Sequence, residues 1–243
     1  MSNILRFKPN PITDYLINNW EKIRDEFFDF HIKNTNLDFR SIHQLSNTPN
    51  AVVKRKTGKD PEVDKAFFIG DLYTTGIYVH SDALGYLEKQ IMNWGDNETE
   101  RIFEKTIKGM PTLGKWVNQY YKVTTSIQFH TAQPGMWLRH HYGIDSNSHV
   151  VRCHLGLDVD PLCEFDLENE RYIWQNGELI GFKDGFVYHG ARHLGTKPRT
   201  ILLCDIYYSA VKSYIVNDPT PCKYELPFIR RQDRKLPIIE NWY

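Results

Sequence analysis

Apolar positions fall into two regimes along the chain, at helical spacing in the first half and at strand spacing in the second. In PITDYLINNWEKIRDEFF the residues Tyr15, Leu16, Trp20, Ile23 and Phe27 fall near helical spacing, which predicts an amphipathic helix with Thr13 and Asp14 as capping candidates. VVKRKTGKDPEVDKAFFIGDLYTTGIYVH holds short β-branched and aromatic runs between turn residues and predicts one or two strands. Helical spacing then returns in ALGYLEKQIMNW, ETERIFEKTIK and TLGKWVNQYY.

Beyond Lys122 the pattern shortens. VTTSIQF, MWLRHH, HVVRCHLGLDV, RYIWQ, ELIGF and RTILLCDIYY read as strands separated by PG, NG and DG turns, and Asn176-Gly177 predicts a hairpin between RYIWQ and ELIGF. The expected fold class is mainly β with flanking helices (α+β), a sandwich or jelly roll in architecture. Residues 1–243 read as a single domain: a helix-rich flank over 1–122, a β core over 123–211 and a proline-rich strap over 212–243.

A formal net charge of +0 supplies no basic field for nucleic acid. No apolar run reaches the roughly 18 residues of a membrane span, and MSNILRFKPN lacks the apolar core of a signal peptide, so the sequence predicts a soluble, cytoplasmic protein. Cys153, Cys163, Cys204 and Cys222 show no CxxC spacing, which argues against a disulfide framework and a zinc knuckle.

Strand alternation makes SHVVRCHLGL informative. Val151, Cys153, Leu155 and Leu157 share one face, and Arg152, His154 and Gly156 share the other, where they either meet solvent or line a cavity. Of the ten histidines, seven (130, 140, 141, 149, 154, 189 and 193) lie between residues 130 and 193. His140, His149 and His193 read as ordinary surface or core residues. His141 and His189 each end an expected strand beside a glycine, Gly143 and Gly190, where a metal site would be built. Two imidazoles suit Fe(II), Zn(II) or Cu(II) alike. Arg199 opens RTILLCDIYY, and a guanidinium entering a β core needs an anion: a bound carboxylate, or a protein acid such as Asp205.

In order, Pro134-Gly135, His141-Tyr142-Gly143, Arg152-Cys153-His154-Leu155-Gly156-Leu157, Asp184-Gly185-Phe186 with His189, and Arg199 resemble the aspartyl/asparaginyl β-hydroxylase family, from about Gln128 to Tyr208. The resemblance implies a double-stranded β-helix that binds Fe(II) and 2-oxoglutarate and uses O2 to hydroxylate a carbon of an amino acid, free or within a peptide. It implies His141 and His189 as iron ligands and Arg199 on the distal carboxylate of 2-oxoglutarate. His154 and Arg152 would line the pocket near the cosubstrate and substrate carboxylates. Glycine, here Gly143, stands at the position of the carboxylate that completes many two-histidine iron sites. Three departures mark this chain. The loop from Ile144 to His149 is lengthened and carries Asp145, which would contact a basic substrate or reach the metal. Val150 replaces a basic residue of the aspartyl-specific members, and His130 replaces a small hydroxyl residue that would help hold the cosubstrate.

Other readings share these residues. A halogenase would use the position opened by Gly143 for chloride, and a non-catalytic jelly-roll module would bind a peptide or sugar. A zinc hydrolase would activate water at the same histidines, but the sequence has no HExxH and no evident third ligand.

Overall fold

The computed structural model describes residues 2–35, 52–55, 68–69, 72–80, 100–102, 104–143, 149–168 and 170–218. The expected helix ALGYLEKQIMNW, Asp145, and the strap beyond residue 218 lie outside these described residues.

The first amphipathic segment forms two helices, α1 (Pro11–Asn18) and α2 (Trp20–Thr35). Asn10 caps α1 in place of Thr13 or Asp14. Its side-chain oxygen accepts from the backbone N–H groups of Ile12 and Thr13, and Pro11 enters the first turn, where a missing N–H leaves nothing unsatisfied. The Asp14 carboxylate reaches back to accept the Asn10 N–H at 2.9 Å, completing a reciprocal cap.

The next stretch yields three strands, β1 (Val52–Arg55), β2 (Phe68–Ile69) and β3 (Leu72–His80). Part of the expected helix ETERIFEKTIK is instead strand β4 (Glu100–Ile102), paired with β3 and followed by α3 (Glu104–Gly109) and α4 (Pro111–Tyr120). Eight strands follow: β5 (Thr124–Ala132), β6 (Trp137–His141), β7 (Val150–Asp158), β8 (Cys163–Leu167), β9 (Glu170–Ile173), β10 (Leu179–Phe182), β11 (His189–His193) and β12 (Arg199–Tyr207). They form two antiparallel sheets, β1-β3-β5-β12-β7-β10 with β4 beside β3, and β2-β6-β11-β8-β9. The fold is a jelly roll with flanking helices.

Two apolar cores explain the layering. One lies between the helices and the outer face of the larger sheet, where Phe27 of α2 stacks on Phe129 of β5 at 4.0 Å and the Trp116 indole N–H donates to the Ile12 carbonyl at 2.7 Å. The other lies between the two sheets and holds Ala132, Phe165, Ile180, Phe182, Ala191 and Ile201. Because both faces of β12 are covered, Arg199 to Ile206 are all buried, which is why RTILLCDIYY lacks clean alternation. In β7 the alternation holds: Val151, Cys153, Leu155 and Leu157 join the helix-side core. Among the described residues, no helix is long and apolar enough to cross a membrane.

Asn176-Gly177 is a turn but not a hairpin. Gly177 has φ +75°, yet β9 pairs with β8 and β10 pairs with β7, so the turn carries the chain from one sheet to the other. The β7 backbone claims this turn: Gly177 N–H donates to the Gly156 carbonyl at 2.9 Å and Gly156 N–H donates to the Glu178 carbonyl at 3.1 Å. Those bonds satisfy groups that a local hairpin ladder would have used.

Candidate functional site

His141 closes β6 and His189 opens β11, rather than ending a strand as expected. The two are register partners. The next paired rung joins Ala191 to Leu138, so β6 carries one more residue than β11 between these rungs, a bulge. Under strict alternation His140 would share the face of Leu138. The extra residue gives that place to His141 and brings its ring centroid to 4.4 Å from that of His189. Gly190 permits the bulge, because a Cβ there would lie 2.9 Å from the Leu138 carbonyl oxygen and 3.0 Å from the His140 nitrogen.

His189 is buried, and its Nδ1 donates to the Val187 carbonyl at 2.8 Å. That bond fixes the tautomer and leaves the Nε2 lone pair facing the Oδ1 of Asp184 at 3.2 Å. Two acceptors in that relation need a proton or a metal cation between them.

Asp184 is fully buried, and it is a candidate that sequence reasoning left without a role. Its carbonyl accepts the Gly143 N–H at 2.7 Å, and its Oδ2 lies 1.8 Å from where a Cβ on Gly143 would stand. The loop before β11 thus brings a carboxylate into the space beside Gly143. The signal available in the sequence was an acid directly before Gly185 and five positions before His189.

Arg152 of β7 secures this acid. Its Nη1 donates to Asp184 Oδ1 at 2.6 Å, while its Nε and Nη2 donate to the two oxygens of Asp205 on β12, each at 2.8 Å. Burial pushes the Asp205 carboxyl above the usual range, and the bidentate grip of Arg152 opposes that rise.

Asp205 is thus committed to Arg152 and is not the partner of Arg199. Arg199 is buried and, among the described residues, forms no ion pair. Its Nε donates to the Cys163 sulfur at 3.4 Å, its Nη1 has no partner, and its guanidinium lies 4.4 Å from the ring of Trp174. His154, within electrostatic reach of Arg199 and His189, is buried with neither ring nitrogen hydrogen-bonded. Burial drives its pKa well below the usual value, and the charges of Arg152 and Arg199 push the same way, so the ring is neutral.

The remaining histidines are placed elsewhere. His193 is held by the Lys197 carbonyl at 2.6 Å and by the Gly195 N–H at 3.2 Å. His149 stacks on Tyr207 at 5.3 Å, and half-buried His140 lies beside Tyr188 at 5.5 Å. His130 contacts the Gln128 amide at 3.3 Å on the inner wall of β5. Asp145 lies outside the described residues.

The donors present fit an iron ion and a dicarboxylate. Among the described residues, no three His, Cys, Asp or Glu side chains form a ready-made metal cage, but the His141 and His189 pair with Asp184 at its edge offers two imidazoles and an ordered carboxylate. The model of the aspartyl/asparaginyl β-hydroxylases matches residues 17–208. The chain belongs to this family. Relatives of the family type include aspartate β-hydroxylase domain-containing protein 2 from Xenopus tropicalis, 35% identical over 81 residues, which are 32% of this chain and 21% of that protein. The human protein of that name is 33% identical over 81 residues, again 32% of this chain and 21% of the relative. Domain-containing protein 1 from Bos taurus is 36% identical over 64 residues, 25% of this chain and 17% of that protein. The chain thus spans about a fifth of the length of the curated relatives it matches.

Among solved structures, a predicted oxalate decarboxylase from Thermotoga maritima aligns with TM-score 0.36 and 7% identity over 67% of this chain and 99% of that one. A cupin-like protein from the same organism aligns with TM-score 0.34 and 8% identity over 63% of this chain and 77% of that one.

Proposed function

We propose that this β-hydroxylase family member is an Fe(II)- and 2-oxoglutarate-dependent dioxygenase that hydroxylates an amino acid, free or as a residue of a peptide. The observation that carries the reading is Arg199: a buried guanidinium with no acid partner among the described residues, beside the unpartnered ring nitrogens of His154. A buried, uncompensated charge costs several kcal/mol, on the order of 3–5 when a pair is broken, and a bound carboxylate removes that cost.

In this reading His141 and His189 hold Fe(II). The Val187 carbonyl fixes the ligating tautomer of His189, and Asp184, kept in place by Arg152, accepts hydrogen bonds from whatever completes the metal shell. Arg199 takes the distal carboxylate, and neutral His154 serves as a hydrogen-bond partner midway along the cosubstrate. Bound iron and 2-oxoglutarate would supply the oxidant that places a hydroxyl group on the substrate carbon, with succinate and CO2 as co-products. The surrounding ring of Phe165, Phe182 and Trp174 excludes water from that step.

Hydroxylation is favoured over chloride transfer by one contact. The space beside Gly143 is filled by the Asp184 carboxylate, which both occupies and electrostatically repels a chloride site.

The test is succinate release from 2-oxoglutarate with Fe(II) and O2 across amino acids and short peptides, with mass detection of product. Gain of 16 mass units on substrate, lost in His141→Ala and His189→Ala, is expected. Equal background in parent and both variants would sink the enzyme reading, and a chlorinated product would replace it with halogenation.

A further inference from the structure

A residue outside the motifs above lies against both Arg199 and His154. Trp174 follows β9, is buried, and its ring stacks on Phe165 at 5.0 Å with an interplanar angle of 28°. It faces His154 at 5.9 Å and Arg199 at 4.4 Å from its ring centroid to the guanidinium carbon. Its indole N–H is buried without a hydrogen-bond partner, as is Arg199 Nη1. Two orphaned donors on stacked neighbours are a poor arrangement for an empty core, since each leaves a desolvated polar group unpaired.

Gly156 explains how Trp174 gets there. It shares the inward face of β7 with Arg152 and His154, and a Cβ at this position would lie 2.1 Å from the Gln175 carbonyl oxygen. The missing side chain lets the backbone after Trp174 press against β7, where Gly156 bonds Gly177 and Glu178, and the Trp174 ring is thereby held against Arg199.

We propose that Trp174 is a second anchor for the distal carboxylate of the cosubstrate and the gauge of its length; this rests on the 2-oxoglutarate reading above. A carboxylate takes donors on each oxygen at about 2.9 Å, which lets it bridge Arg199 Nη1 and the Trp174 N–H. The indole ring, wedged between Phe165 and Arg199, then forms a fixed floor that admits a five-carbon dicarboxylate and meets the extra methylene of a six-carbon one.

The experiment is calorimetric titration of the Mn(II)-loaded protein, which does not turn over, with 2-oxoglutarate and with 2-oxoadipate. Trp174→Phe keeps the ring and removes the donor; it should weaken 2-oxoglutarate binding about ten-fold or more, the loss expected for a hydrogen bond to a charged group, with Mn(II) affinity unchanged. Trp174→Leu opens the floor and should shift the ratio of the two affinities at least about ten-fold toward 2-oxoadipate. Parental affinity in Trp174→Phe together with parental selectivity in Trp174→Leu would overturn the role of Trp174 while leaving the cosubstrate intact. Should Trp174→Leu not fold, unchanged 2-oxoglutarate affinity in Trp174→Phe is enough to overturn it. A parent protein that binds neither dicarboxylate would remove the cosubstrate reading, and this inference with it.

Discussion

Asp184 occupies the volume that a side chain on Gly143 would need: its Oδ2 is 1.8 Å, its carboxyl carbon 2.3 Å and its carbonyl oxygen 2.8 Å from a Cβ built there. The two positions are mutually exclusive sources of a carboxylate at the histidine pair. Gly143→Ala should therefore push Asp184 from its place, destabilise the fold by about 1–3 kcal/mol and weaken metal binding. Gly143→Asp, which nominally restores a two-histidine, one-carboxylate set, should behave worse, because the new carboxylate collides with the resident one. Thermal melts and Mn(II) titration check both. Tighter metal binding in Gly143→Asp would show that Asp184 yields freely.

If His189 holds the metal as proposed, the chain Asp205, Arg152, Asp184 and His189 would make metal affinity depend on an acid that is no ligand itself. Asp205→Asn leaves Arg152 with one carboxylate in place of two and breaks a pair whose acid is 1% exposed. Denaturant unfolding should register a loss of about 3 kcal/mol. Mn(II) affinity should fall by roughly 10–100-fold, as for other groups that orient a ligand from behind. Arg152→Lys should not substitute, since a point charge cannot hold Asp205 through two parallel bonds and Asp184 through a third. Unaltered metal affinity in Asp205→Asn would confine that residue to stability.

Much of this architecture was legible from β7. Its alternation placed Arg152, His154 and Gly156 on one shared face, which the structure turns inward, and the helix-side core took the others. Among the eight strands after Lys122, two were not legible. CEFDL alternates buried with half-exposed residues over only five positions, and HGARH buries two imidazoles and a glycine in a run with one small apolar residue, so neither carries an apolar pattern that separates it from turn sequence. The bulge at Gly190 was hidden for a different reason, since a register shift lies in the pairing of two segments and leaves no local mark beyond a glycine. The Asn176-Gly177 turn misled because local turn chemistry is the same whether the flanking strands pair with each other or with different sheets. Asp184 was overlooked because its contact with Gly143 spans the fold.

Acid sensitivity follows from the helix-side core. His31 of α2 is packed against Phe27 at 4.2 Å and contacts the Thr75 hydroxyl at 3.1 Å; burial lowers its pKa from the ordinary 6.5 to about 3. The folded protein keeps the ring neutral through that interval, while the unfolded chain takes up a proton as pH falls below 6.5. The His31 contribution to stability is therefore complete above the unfolded value and erodes toward pH 3, by about 2 kcal/mol at pH 5. His154, shifted down for the same reason, acts in the same direction. His31→Leu removes the titrating group, so the difference in unfolding free energy between pH 7 and pH 5 should shrink by about 2 kcal/mol in that variant. An undiminished difference would mean that other groups dominate the acid limb.

Two glycines with different constraints separate backbone strain from crowding. Gly135 has φ +80° with nothing within 4 Å of a built Cβ, so Gly135→Ala is opposed only by backbone conformation and should cost about 1 kcal/mol without altering the pocket. Gly156 has no such torsional demand but meets the Gln175 carbonyl oxygen at 2.1 Å and its carbon at 2.9 Å, both backbone atoms that cannot swing aside. Gly156→Ala must lift the turn that carries Trp174 away from β7, breaking the Gly177 to Gly156 hydrogen bond and the Gly156 to Glu178 hydrogen bond along with it. The expected loss is about 3 kcal/mol from crowding and two backbone bonds together. Tryptophan fluorescence should move to longer wavelength as the indole floor opens, and 2-oxoglutarate affinity should fall while Mn(II) affinity holds. A Gly156→Ala protein with parental fluorescence and cosubstrate affinity would show that the turn can accommodate a methyl group and that the tight approach at β7 does not position the pocket floor.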